Sequence, residues 1–362
     1  MEHATSEVEN MELNFWNGKR VFLTGHTGFK GGWLSLWLNL LGAKVYGYAL
    51  APSTTPNLFE LTQLNKYINH FVGDIRDEVL LKKEIIHFDP EIIIHMAAQP
   101  LVINSYESPI ETYGVNALGT ANLLEAARYA KSVKVILVVT TDKCYENKEW
   151  VWSYRENDRL GGHDPYSNSK ACAELITQSF RDSFYAKKNI ALATARAGNV
   201  IGGGDWSKHR LIPDIVRAIA HQEKLLLRYP SSIRPWQHVL ESLSGYLNLI
   251  EKCFLDSQKY SEAWNFGPHD SKNYSVKQII EKFQEKINKP FQCEITENES
   301  LPESRLLRLN IDKALSKLNW SPKYTIDKSI QITADWYNAC LNNEDMKIVT
   351  EKQILDYMKL SI

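Results

Sequence analysis

Six short apolar runs rich in β-branched residues recur along the first part of the chain: KRVFLTG, AKVYGYAL, HFVGDI, EIIIHMAA, KVILVVTT and IALATARAG. Segments with helical periodicity lie between them, such as Gly32 to Leu41 and Gly119 to Ala130. A strand that is apolar on both faces must be covered on both. Alternation with helices supplies that cover, so the pattern demands a doubly wound, parallel α/β sheet. After about residue 200 the texture changes to GGGDW, a helix-like LIPDIVRAIAHQ, the turn-rich RYPSSIRPWQH and a last third punctuated by Pro290, Pro302 and Pro322. The expected organisation is a loose tail at 1–14, a sheet domain at 15–200 plus 236–268, and a smaller α/β domain at 201–235 plus 269–362 laid over the crevice. The returning piece contributes a helix near Glu241 to Cys253 and a last strand at Ala263 to Phe266.

The 362 residues are 44% hydrophobic and 23% charged, enough for a substantial core. A formal net charge of -1 with no block of like charge argues against a nucleic-acid partner and against a polybasic membrane surface. A small-molecule partner is expected instead. The opening MEHATSEVEN does not resemble a signal peptide, and no apolar run approaches a membrane span. The five cysteines, Cys144, Cys172, Cys253, Cys293 and Cys340, are scattered without CxxC spacing, as expected of reduced thiols in a cytoplasmic protein.

LTGHTGFKGGWL follows the first strand and opens the first helix, setting Gly25, Gly28 and Gly31 in the spacing GxxGxxG. Gly25 permits the tight turn, Gly28 lets the backbone approach a pyrophosphate, and Gly31 lets the helix pack closely, while the helix N-terminus faces negative charge. Strand before and helix after make this a dinucleotide site of the Rossmann type, with Thr27, Phe29 and Lys30 in the same loop. The usual companion, an acid after the second strand that holds a ribose hydroxyl, is missing: no Asp or Glu lies between Lys44 and Glu60. No Arg stands there to favour an extra phosphate either, and NAD is the expected cofactor. Asp74 and Ile75, after the third strand, are placed to meet an adenine; Ala97 and Ala98, after the fourth, are small enough to admit the middle of the cofactor.

PYSNSKACAEL places Tyr166 and Lys170 at i and i+4, on one face of a helix. A phenol is a poor base at neutral pH, and a neighbouring ammonium lowers its pKa by favouring the phenolate. Such a pair can exchange a proton with a sugar hydroxyl while hydride moves to a nicotinamide.

Together these residues resemble the extended short-chain dehydrogenase/reductase family over nearly the whole chain: the glycine loop, Asp74-Ile75, HMAAQP, the VNALGT helix start at Asn116, the Thr141/Tyr166/Lys170 set, and ARAGNV. The resemblance implies that Thr141 bonds the reacting oxygen of a nucleotide-sugar, that Asn199 holds its backbone, and that Arg234 in IRPWQHV binds its pyrophosphate. Gln99, Arg210, Leu211, Ile212, Gln237 and His238 complete the expected substrate contacts. It also implies a homodimer, or a dimer of dimers, through helices near Tyr113 to Ala130 and Tyr166 to Tyr185.

VVTTDKCYE carries the distinguishing mark. A 4-epimerase of this family typically has small or apolar residues after the strand-end hydroxyl, whereas here Asp142 and Lys143 follow Thr141. A 4,6-dehydratase must expel hydroxide from carbon 6 after a ketone forms at carbon 4, and a positioned acid is worth on the order of 10² to 10⁴ in rate for such a step. The resemblance makes Asp142 that acid and Lys143 either the base at carbon 5 or the stabiliser of the enolate, with hydride returning to carbon 6. It points within the family to dehydratases of CDP-glucose, although no residue can be shown to read a cytosine. A dehydratase of another nucleotide-glucose, a 4-epimerase and a non-catalytic NAD-binding scaffold are the alternatives. The family's pattern is departed from at Ile103, where an arginine is expected, and in PESRLLRLN, where a histidine is. His95, inside EIIIHMAA, reads as a satisfied core histidine; His163 and His209 lack partners at ligand spacing, so no metal is expected.

Overall fold

Each of the six apolar runs forms a strand in the computed structural model: β1 (Arg20–Thr24), β2 (Lys44–Ala49), β3 (Asn69–Val72), β4 (Ile92–His95), β5 (Val135–Val139) and β6 (Ala191–Ala197). A seventh, β7 (Ala263–Phe266), lies where the sequence places it. The structure describes residues 15–227, 229–269, 274–295 and 306–360, so the tail read at 1–14 and the start of PESRLLRLN lie outside the described residues. The strands run in the order β7-β6-β5-β4-β1-β2-β3, and every neighbouring pair is parallel. The connection reverses direction between β1 and β4, which opens a crevice beyond the carboxyl ends of those strands.

The covering helices are α1 (Phe29–Leu40), α2 (Glu78–Phe88), α3 (Gly119–Ala127), α4 (Pro165–Phe180) and α5 (Val239–Leu255). Helix α1 starts earlier than its periodicity suggests because Gly28, extended at φ -81° and ψ 170°, serves as its N-cap. Helix α5 outruns the expected Glu241 to Cys253 because the His238 ring accepts from the Leu240 amide and caps it. Alternation along the strands feeds both faces of the sheet. Phe22, Ile93 and Ile136 meet Leu81, Leu123 and Leu124 on one side. Val21, Ile94 and Leu137 meet Trp33, Leu36 and Leu243 on the other.

That second cluster continues without a break into Phe283, Trp320, Trp336 and Tyr357. The last third of the chain thus shares one core with the sheet. Its final helix, Met346–Lys359, packs on α1, with Tyr357 edge-on to Trp37 at a ring separation of 5.7 Å. The GGGDW glycines serve this packing: a Cβ on Gly203 would stand 1.9 Å from the Trp336 ring.

Three histidines are folded into this interior without charge. His95 is held between the Thr24 and Thr120 hydroxyls at 2.8 and 3.1 Å, as its apolar surroundings suggest. Burial pushes His26, His95 and His238 each down to about 3. A histidine whose folded pKa is depressed binds a proton only on unfolding, so stability is full above the ordinary value of 6.5 and is lost as pH falls below it. We expect stability to drop by about 1.4 kcal/mol per histidine for each pH unit between about 6.5 and 4.5. Urea unfolding across that range, with protons taken up at these histidines on unfolding, is the check; a flat midpoint contradicts it.

Candidate active site

The carboxyl end of β5 runs into a tight turn, Asp142–Cys144, capped by Thr141, whose hydroxyl accepts from the Lys143 amide at 3.3 Å. The same hydroxyl donates to Asp142 Oδ1 at 3.0 Å, and its dipole also favours the phenolate form of nearby Tyr166. Thr141 thus stands between the two acid–base groups. The other Asp142 oxygen, Oδ2, is buried and has no partner among the described residues. It faces Gly198, where a Cβ would stand 3.0 Å away. Burial pushes the Asp142 carboxyl up, and the charges of Lys143 and Arg234 with the Thr141 bond only partly oppose it. A carboxyl held this way keeps its proton to higher pH and presents it toward one open point.

Helix α4 begins at Pro165, with the Asp164 side chain accepting from the Ser167 amide at 2.9 Å, and this fixes Tyr166 in its first turn. Burial pushes Tyr166 up to about 12, opposed by the Thr141 bond and the Arg210 charge. The Lys170 ammonium donates to the Val139 carbonyl at 3.3 Å, and burial brings it down to about 8. A spacing of four residues puts two side chains on one face of a helix, but burial and the strand end decide where each points.

The glycine loop leads to the same place. Gly25 adopts φ +79°, and a Cβ there would lie 2.7 Å from the Ala97 amide; one on Gly31 would lie 2.1 Å from the Gly25 carbonyl. Gly28 is nearly open, with only the Gly25 carbonyl at 3.4 Å. No side chain caps the start of α1, so its first amides are available to an anion. The loop is steadied by Thr27, whose hydroxyl donates to the Leu50 carbonyl at 2.9 Å. Lys30 donates to the Tyr246 hydroxyl at 2.9 Å; burial, together with the charges of Arg210 and Lys170, brings it down to about 7. This lysine, read as a cofactor contact, also stands within the field of Asp142. Phe29 lines the loop near Gly202, and Ala97 donates its amide to Thr24 Oγ1 at 3.1 Å. Ala98 follows at the mouth of the crevice. Asp74 is clasped by Arg76, which holds its carboxyl below the ordinary value, and Ile75 is buried against Gly119.

The residues read as substrate contacts divide into two groups. Arg210, paired with Asp205 at 2.8 Å, and Arg234, whose charge acts on Asp142, face the reactive set. Asn199 lies at the end of β6 and accepts through its carbonyl from the Gln237 amide at 3.0 Å. By contrast, Gln99 spends its amide on Leu101 and Thr112, Gln237 donates to the Phe266 carbonyl at 2.9 Å, His238 caps α5, and Ile212 lies in the core beside half-buried Leu211. Sequence reasoning passed over Gly198, although the AGNV at the end of β6 offered the signal of a glycine beside a strand end. Among the described residues, no group of three or more His, Cys, Asp or Glu side chains could hold a metal ion.

The family model described as GDP-mannose 4,6 dehydratase matches residues 22–333. A CDP-glucose 4,6-dehydratase from Salmonella typhimurium is 48% identical over 96% of this chain and 98% of its own length. The structure of dTDP-glucose 4,6-dehydratase from Bacillus anthracis in complex with NAD superposes with a TM-score of 0.73 at 23% identity, covering 91% of this chain and 98% of that one. A UDP-glucose 4-epimerase from Thermotoga maritima gives 0.76 at 20%, covering 89% and 99%. At such identities the solved structures speak for the fold alone.

The close approaches around the loop give a prediction. Gly31→Ala is expected to cost about 1–3 kcal/mol and to abolish dinucleotide binding, because backbone and not a flexible side chain blocks its Cβ. Gly28→Ala should keep the wild-type melting temperature and lose only affinity. Thermal melts with cofactor titrations distinguish the two; equal melting losses contradict the assignment.

Proposed function

The chain belongs to the GDP-mannose 4,6 dehydratase family of sugar-nucleotide enzymes, and we propose that it converts CDP-glucose to CDP-4-dehydro-6-deoxyglucose and water with NAD in the glycine-loop crevice. The open surface at Gly28 and the uncapped start of α1 fit a pyrophosphate. The residues that would hold the cofactor are the loop from Gly25 to Gly31, Asp74, Ile75, Ala97, Ala98, Tyr166 and Lys170. Bound there, NAD supplies reversible storage of the hydrogen that leaves carbon 4 and reappears on carbon 6.

Asp142 carries the reading. Its carboxyl is buried, raised in pKa and left with one oxygen without a partner among the described residues, while the other accepts from the neighbouring Thr141 hydroxyl. A leaving hydroxide needs an acid to protonate it, and burial raises the proton affinity of this carboxyl toward that task. Tyr166 takes the proton from the hydroxyl at carbon 4 through contact with Thr141, aided by the positive charge of Arg210. Lys143, next in the turn, has the work at carbon 5. Arg210 and Arg234 suit the nucleotide phosphates, which a guanidinium can grip with two parallel bonds. A 4-epimerase needs Thr141, Tyr166 and Lys170 but has no use for a buried acid beside them.

The reading extends to a cytoplasmic homodimer. Ile110, Leu118 and Leu175 are 83%, 63% and 54% exposed on helical elements around α4, an apolar face that a second copy would cover. Among the described residues no helix is long and apolar enough to cross a membrane.

Incubation with NAD and, separately, CDP-, dTDP-, UDP- and GDP-glucose tests the reaction by loss of one water in the mass spectrum. Water loss from CDP-glucose is expected, with the other three slower. Asp142→Asn should lower it by about 10²- to 10⁴-fold while oxidation at carbon 4 persists. Water loss from none of the four, with cofactor still bound, contradicts the proposal.

A further inference from the structure

Directly behind the reactive turn lies a charged pair that none of these steps uses. Glu174 and Arg196 have side chains only 3% exposed. Arg196 grips both carboxylate oxygens, Nε to Oε1 and Nη2 to Oε2, each at 2.9 Å. Thr140 donates to Oε1, and Thr194 donates to Oε2 at 2.7 Å. The remaining guanidinium nitrogen, Nη1, donates to the Tyr145 hydroxyl at 2.8 Å and to the Glu156 carbonyl at 2.9 Å. Tyr145 in turn donates to Asn265 Oδ1 at 2.7 Å.

A buried ion pair is a weak source of stability, because desolvation offsets most of its attraction and apolar residues of equal volume often serve as well. What this pair holds is therefore the informative point. Thr140 immediately precedes Thr141, and Tyr145 immediately follows the Asp142–Cys144 turn, so the two tethers bracket the acid-bearing segment. Glu174 stands on α4, one helical turn beyond Lys170 and two beyond Tyr166. Asp142 makes one side-chain hydrogen bond, to its neighbour Thr141, so the path of the backbone is what aims it. Tyr166 and Lys170 have α4 itself as their support.

We propose that the Glu174–Arg196 pair, acting through Thr140 and Tyr145, fixes the Asp142 turn relative to α4 and so sets the separation between the proton acceptor for carbon 4 and the acid for carbon 6. These four are positioning residues; the inference rests on the dehydratase reading. Loosening either tether moves the acid and leaves the tyrosine in place, so elimination suffers while oxidation continues. The sugar then stalls as the 4-keto compound that keeps its 6-hydroxyl, its two hydrogen equivalents held by one cofactor per site.

The test compares Thr140→Val and Tyr145→Phe with the wild type, each with NAD and CDP-glucose. A displacement of about 1 Å costs on the order of a hundredfold, so kcat for water loss should fall about tenfold to a hundredfold while KM moves less than about threefold. Single-turnover mixtures quenched and reduced with borodeuteride should give the variants carbon-4-labelled hexose that keeps its 6-hydroxyl, where the wild type gives 6-deoxy sugar. Thr140→Ser, which restores the hydroxyl, should recover both readings. Wild-type kcat and products in the variants overturn the inference, as does a loss of rate without the stalled 4-keto sugar. If one variant fails to fold, the other decides, since it touches the opposite end of the turn. Failure of the wild type to dehydrate CDP-glucose would instead strike the proposed function.

Discussion

Keeping the Asp142 carboxyl out of water is the constraint around which the site is arranged. Leaving a polar group buried costs roughly 1–3 kcal/mol when one of its partners is missing, and more for a charged group. Asp142 carries that penalty at Oδ2, and burial raises its pKa accordingly, favouring the protonated form. The strand that delivers it is buried along its whole length, so water cannot reach it from below. The opposite side is left open by Gly198, where a larger residue would fill the space in front of the free oxygen.

Positive charge surrounds that carboxyl. Lys143 and Arg234 act on it directly, Lys30 reaches it from the glycine loop, and Arg210 stands near both Lys30 and Tyr166. Collecting cations in a low-dielectric crevice is unfavourable without an anion, and the pKa of Lys30, lowered by burial and then by the charges of Arg210 and Lys170, records that cost. A substrate and a cofactor that each bring a pyrophosphate answer it. The same cationic field favours the phenolate of Tyr166, so binding and proton removal draw on one arrangement of charge.

The sheet was legible because its strands are apolar on both faces, and even the half-exposed edge strand β3 was marked by its position in the alternation. The turn from Thr141 to Lys143 was legible because charge at a buried strand end is conspicuous. Other features were not. IALATARAG reads as an apolar strand, yet Arg196 lies buried within it, and nothing local says that its partner is Glu174 on a different element. Gln237 and His238 look like loop residues poised for a ligand; each gives one side-chain nitrogen to the fold, for a carbonyl and a helix cap, and keeps another polar atom buried without a partner among the described residues. Gly203 of GGGDW closely approaches Trp336, more than 130 residues away in the chain, and nothing local announces that contact. Where a long-range contact decides the role, composition or spacing carries no record of it.

The most direct test of the account follows the hydrogen that leaves carbon 4, since oxidation, elimination and reduction are all assigned to one crevice with no net oxidation. CDP-glucose carrying deuterium at carbon 4 is converted by the protein with catalytic NAD, and the product is examined by mass spectrometry and NMR. The account predicts that the label moves within the same sugar to the new methyl group at carbon 6. Deuterium that stays at carbon 4, or is lost altogether to water, would contradict it.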